Sequence, residues 1–219
     1  ADEGARVANL SLGGPFGSST LEDAMRYAYE AGVVVTCAAG NTYGPGVSYP
    51  AAYDDYCLGV AATTYEDQRA TFSSYGPEVD VGAPGVDILS TTGGGYESWP
   101  GTSMATPHVA GLAALILAQD PGLSVDQVFA TICNSADDVN GDEFPGEDDY
   151  LGEGRINAYR ALTARVRVEP PEIGASLGST FTVGVAIEGI VDLGGFRFDV
   201  TYDPSVVTVD DVRLGPFLG

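Results

Sequence analysis

An α/β protein with a mostly parallel sheet and flanking helices, followed by a partial antiparallel β-sandwich, is the architecture this sequence predicts. Up to about residue 160, short apolar runs alternate with helix patterns. Strands buried on both faces of a parallel sheet read as such runs. After about Ala164, apolar residues alternate with smaller or polar ones at period two, the pattern of half-buried antiparallel strands. Apolar residues make up 44% of the 219 positions, enough for a packed core without disulfides or metals.

Val7 to Leu12 reads as a short strand ending at Gly13-Gly14. Ser19 with Glu22 three residues later reads as a capping box. It opens a helix whose Leu21, Ala24, Met25 and Ala28 share a face and which stops at Gly32. Val33 to Cys37 and about Cys57 to Ala61 are buried strands, with shorter pieces near Val79 to Val81 and Ile88 to Ser90. A helix starting near Ser103 runs to about Gln119, and Ser124 with Asp126 starts another that ends near Cys133. In the tail, Val166 and Val168, then Phe181, Val183, Val185 and Ile187, then Phe196, Phe198 and Val200 mark the antiparallel strands. The expected domains are residues 1–164 and 165–219, with Pro170-Pro171 close to the junction.

The formal charge is −22, and all nine basic residues are arginine. So acidic a surface repels nucleic-acid phosphates and anionic lipid, which argues against both as partners. The longest apolar run, Val109 to Ala118, is about half of what a membrane span needs. Cys37, Cys57 and Cys133 form no Cys-x-x-Cys pair, and His108 is the sole histidine, so a zinc site is not expected. The thiols read as buried and free; a Cys37–Cys57 disulfide would require neighbouring strands.

Chemistry concentrates in Gly101-Thr102-Ser103-Met104-Ala105-Thr106-Pro107-His108-Val109-Ala110-Gly111. It puts a serine at the start of an apolar helix, among unpaired N–H groups at the positive end of the helix dipole. That setting suits a nucleophile whose attack creates an oxyanion. The plainer reading is a helix start with Thr102 as N-cap. Ala38-Ala39-Gly40-Asn41 follows a buried strand, at the carboxyl edge where ligands gather in α/β sheets. An Asn amide there can donate to a developing oxyanion. Ser103 needs a base, but His108 lies five positions on, turned about 140° and raised about 7.5 Å along the helix. It cannot share a hydrogen bond with Ser103 and reads as a packed helix residue.

These segments resemble the subtilisin-like serine proteases, the subtilases, over roughly residues 6–163, closing with Gly154-Arg155-Ile156-Asn157-Ala158. The Met104 to His108 continuation resembles subtilisins more than their sedolisin cousins. The resemblance implies a secreted serine endopeptidase with Ser103 as nucleophile and Asn41 in the oxyanion hole. Asn9 to Gly14 resembles the strand that pairs with substrate backbone. Ser11, Leu12 and Gly13 would form one wall of the specificity pocket, Ala39 and Gly40 the other. Ser48 would sit at the floor, where a small residue leaves room for a large apolar side chain. The family's Asp and His lie upstream of this strand, so the expectation is an N-terminally truncated catalytic domain, nearly inactive alone.

Leu193 to Val207 resembles the opening of a cohesin-like β-sandwich, implying a protein or cell-surface ligand beside the polypeptide substrate. The alternative function is a non-catalytic secreted or cell-surface scaffold that uses the same two modules for binding. No cofactor is required for the chemistry, but structural calcium is compatible with the sequence. Asp138, Asn140 and Asp142 place oxygen ligands at alternating positions. No glutamate follows at EF-hand spacing, so the loop from Asp137 to Asp149 also reads as a solvated acidic loop. The family resemblance offers carbonyls around Ala51 and Tyr53 as a weaker calcium position.

Overall fold

The computed structural model describes residues 1–163 and the strands Arg165–Glu169 and Gly184–Glu188. Four strands, β1 (Val7–Leu10), β2 (Val34–Ala38), β3 (Leu58–Thr63) and β4 (Val81–Pro84), form a parallel sheet in sequence order. β2 and β3 are buried at every position, which is why they read as unbroken apolar runs.

Alternate residues of β2 feed opposite layers. Val35 and Cys37 pack with Met25 of helix α1 (Ser19–Glu30). Val34 joins Leu58, Val60 and Val81 beneath helices α2 (Thr102–Gln119) and α3 (Val125–Asn134). The result is helix, sheet and helix in three layers. A last short helix, α4, covers Ala158–Thr163. Among the described residues no helix is long and apolar enough to cross a membrane.

Several local expectations shift. The cap of α1 is Ser18, not Ser19: its side chain accepts the Leu21 N–H, and its backbone is extended (φ −144°, ψ 148°). An N-cap needs that non-helical backbone, and Ser19 is already helical. α3 does open on a full capping box, Ser124 with Gln127. The piece near Ile88 is half of an antiparallel hairpin, β5 (Ile88–Thr92) with β6 (Gly95–Trp99). Every residue of β6 is exposed, so burial left no pattern for its detection. β2 and β3 are neighbours, yet Cys37 and Cys57 are free thiols buried in one cluster.

Beyond α4, β7 (Arg165–Glu169) and β8 (Gly184–Glu188) pair antiparallel, as the period-two pattern anticipates. Phe181, Val183, Phe196, Phe198 and Val200 lie outside the described residues, as does the junction at Pro170-Pro171.

At the amino-terminal edge of the sheet, the Asp80 carboxylate accepts the Gly59 N–H at 2.6 Å. Burial pushes this carboxyl up to about 7, opposed by that hydrogen bond and reinforced by repulsion from Asp54, Glu147 and Glu153. The folded state therefore holds this proton more tightly than the unfolded chain, and Asp80's contribution to stability falls as pH rises from about 4 to about 7. Asp80→Asn keeps an acceptor for Gly59 and removes the titration. Relative to wild type it should gain roughly 2–4 kcal/mol between pH 4 and pH 8, read from urea melts at each pH. A difference that stays flat across that range would refute the linkage.

Candidate active site

The carboxyl ends of β1 and β2 and the start of α2 meet around a cavity of about 230 Å³. Leu12, Gly13, Ala38, Gly40, Asn41, Ser48, Thr102 and Ser103 line it. Two loops, one after each strand, thus face the tip of one helix, as the parallel register requires.

α2 begins without a side-chain cap of its own, because Gly101 occupies the N-cap. Asn41 takes that place from the neighbouring loop. Its Oδ1 accepts the Thr102 N–H at 3.0 Å and the Thr102 hydroxyl at 3.1 Å. A backbone N–H is only a donor, so the amide's orientation is determined, and Nδ2 is left without a protein partner. The Thr102 hydroxyl in turn accepts the Gly40 N–H at 3.2 Å. Thr102 is fully buried, which makes it the bridge between the loop and the helix.

Ser103 sits in the first turn, with its Oγ 3.4 Å from the Ser11 carbonyl oxygen. Pro107, inside the same helix, has no N–H to give the Ser103 carbonyl four residues earlier. The Ser11 hydroxyl supplies the missing donor at 2.7 Å, and Asn9 Nδ2 donates to that hydroxyl at 3.0 Å. The end of β1 is thereby stitched to the serine helix through the carbonyl that proline leaves unpaired.

Gly40 and Ser48 meet closely in the cavity lining. A Cβ on Gly40 would stand 2.4 Å from Ser48 Oγ and 2.9 Å from Ser74 Oγ, and φ there is +113°. Only glycine fits both the conformation and the approach. The Ser48 N–H donates to the Ala39 carbonyl at 2.8 Å, and the two backbones stay in contact.

Of the residues singled out from the sequence, Ser103, Asn41, Leu12, Gly13, Gly40 and Ser48 line one cavity. Ser11 lies at its edge through the bonds above. Ala39 turns away: its side chain is fully buried with Ala61, Val79 and Leu151, and Ala38 lines the wall instead. His108 is exposed rather than packed, and its Nδ1 lies 2.9 Å from the Met104 carbonyl oxygen one turn back. Thr102 was read only as an N-cap, so its bridging role was missed; a buried threonine beside a capping asparagine would have been the signal. The carbonyls of Ala51 and Tyr53 face the Cys57 thiol at 3.8 and 3.6 Å.

A hydroxyl at a helix tip and an oriented amide thus share one cavity at the carboxyl edge of a parallel sheet. Comparison with known proteins gives this arrangement a family. The subtilase family model matches residues 1–154, and the cohesin domain model matches residues 166–217. Thermitase from Thermoactinomyces vulgaris is 46% identical over 163 residues, covering 74% of this chain and 56% of that protein. Subtilisin DY from Bacillus licheniformis is 46% identical over 163 residues, covering 72% and 57%. A solved structure titled as proteases from Pseudoalteromonas arctica superposes with a TM-score of 0.65 at 33% identity, over 72% of this chain and 50% of that one. The chain belongs to the subtilase family. It spans about half the length of the relatives it matches.

The proline-compensating bond can be isolated. Ser11→Ala should cost about 1–2 kcal/mol by orphaning the Ser103 carbonyl. In a Pro107→Ala background, the new N–H at 107 can serve that carbonyl, and the same change should cost about 1 kcal/mol less. Urea unfolding of the four proteins in this cycle measures the difference, and equal costs in both backgrounds would disprove the link.

Proposed function

We infer that the parent protein is a serine endopeptidase that cleaves polypeptides through an acyl-enzyme on Ser103. The observation that carries this reading is the shared cavity of Ser103 and Asn41, with the amide turned by Thr102 so that Nδ2 is free to donate. Ser103 Oγ attacks the scissile carbonyl carbon, and its proton passes to a general base. The carbonyl oxygen becomes an oxyanion held by Asn41 Nδ2 and the Ser103 N–H. Collapse expels the amine and leaves the ester, which water then hydrolyses.

The sole histidine, His108, is exposed and bonded to its own helix five positions after Ser103, so it is not the base. On this reading the general base and the acid that orients it would be supplied by a segment other than these 219 residues. The 219 residues alone should therefore hydrolyse peptides very slowly. Substrate backbone would run along Ser11 to Gly13, with a large apolar side chain entering between Leu12, Gly13, Ala38 and Gly40 above Ser48. Ala39 contributes through the carbonyl that holds Ser48.

We place the domain boundary near residue 164, a reading supported by family matches to residues 1–154 and 166–217. The second module would bind a protein or cell-surface ligand, and the whole would be secreted, as the relatives' family suggests. The cohesin match also favours a second reading, a non-catalytic binding scaffold. The two separate on the full-length parent, treated with a serine-reactive fluorophosphonate. Labelling that disappears in Ser103→Ala, with peptide hydrolysis lost by at least about 10³-fold, is expected of the protease. Labelling that persists in Ser103→Ala, or no labelling at all, would overturn it in favour of the scaffold.

A further inference from the structure

Asn41, Thr42 and Tyr43 are all exposed, so side-chain packing does not hold the loop that carries the amide. Hydrogen bonds must do it. Thr102 grips the loop from one side, at the Gly40 N–H and at Asn41 Oδ1. Ser74, a buried hydroxyl that the proposed chemistry leaves unused, grips it from the other. The Ser74 N–H donates to the Gly40 carbonyl at 2.9 Å. Ser74 Oγ accepts the Thr42 N–H at 3.3 Å and lies 2.8 Å from the Thr42 hydroxyl. The Gly40 carbonyl belongs to the peptide group before Asn41, and the Thr42 N–H to the one after it. One residue therefore bonds both peptide planes that flank the Asn41 Cα. Those two planes define φ and ψ, and with them the direction in which the side chain leaves the backbone.

Ser74 is itself tied to the sheet. The hydroxyl of Ser73, also fully buried, accepts the Ala62 N–H of β3 at 3.0 Å and donates to the Ser74 carbonyl at 3.2 Å. Arg69 donates to the Ser73 carbonyl, and its guanidinium lies 4.9 Å from the Tyr75 ring centroid. Further along the loop, the Tyr43 N–H donates to the Phe72 carbonyl at 3.1 Å. The close approach depends on Gly40, because a Cβ there would stand 2.9 Å from Ser74 Oγ. A hydroxyl fixed to β3 thus sets the backbone of a residue that follows β2.

We propose that Ser74 is a positioning residue for the oxyanion donor: by bonding the peptide groups before and after Asn41, it fixes the direction of Nδ2. The proposal rests on the endopeptidase reading and extends it to a residue outside the cavity lining. Ser74 acts through Asn41 and not on the substrate. Its influence therefore falls on the transition state, where the amide meets the oxyanion, and leaves substrate binding nearly untouched.

Steady-state peptide hydrolysis by the full-length parent tests this, with active sites counted by fluorophosphonate titration to completion so that unfolded protein does not enter kcat. Ser74→Ala keeps the N–H bond to Gly40 and loses both bonds to Thr42. It should lower kcat about tenfold, with KM within about twofold of wild type. Asn41→Ala alone should lower kcat by the roughly 10²–10³-fold usual for an oxyanion donor. With no amide left to aim, adding Ser74→Ala to Asn41→Ala should cost less than about twofold more. Thr42→Val, at an exposed position, removes one of the two Oγ bonds without disturbing the core and should lower kcat about threefold at unchanged KM; Thr42→Ser should restore it. Wild-type kcat in both Ser74→Ala and Thr42→Val, a loss confined to KM, or a Ser74→Ala loss that persists undiminished on Asn41→Ala overturns the positioning role and leaves the endopeptidase reading intact. A wild-type parent without Ser103-dependent hydrolysis overturns both.

Discussion

The geometry of the site depends on how one helix is held at its tip. α2 has neither a capping side chain at Gly101 nor an N–H at Pro107. Both deficits fall in its first turns, where a helix already has unpaired backbone groups. The sheet makes them good from two directions. Asn41, after β2, accepts the Thr102 N–H, and Ser11, after β1, donates to the Ser103 carbonyl. Each contact joins residues at least 61 positions apart in sequence. Without them, the serine would ride on a helix end free to fray; with them, its position is set by the sheet.

The same bonds account for the electrostatics. The chain carries a formal charge of −22, a poor background for creating another negative charge on a substrate oxygen. No positively charged side chain lines the cavity. What opposes the acidic field is a set of fixed dipoles: the start of α2 and the Asn41 amide. A dipole helps only if it need not reorient during the reaction. Asn41 Oδ1 is held twice, by the Thr102 N–H and by its hydroxyl, so the direction of Nδ2 is fixed by the fold, and the proposed reaction would require no reorientation of it. Capping the helix and orienting the donor are one interaction.

How much of this was legible followed from how strongly burial writes on sequence. β2 and β3 were readable because every position on them is buried, α2 because its buried residues fall within one long apolar run, and the motif around Ser103 pointed to the family. β6 was invisible because all of its residues are exposed, even though its backbone pairs with β5. The cap of α1 slipped by one because Ser18, Ser19 and Thr20 are equally good capping residues in sequence; only backbone angles separate them. Ala38 and Ala39 exchanged roles for a similar reason: identical residues at adjacent positions of a chain leaving a strand face opposite ways, and composition cannot say which. The role of Ser11 toward Pro107 needed three-dimensional contact to be seen, although the proline itself announced that a carbonyl four residues earlier would need another donor.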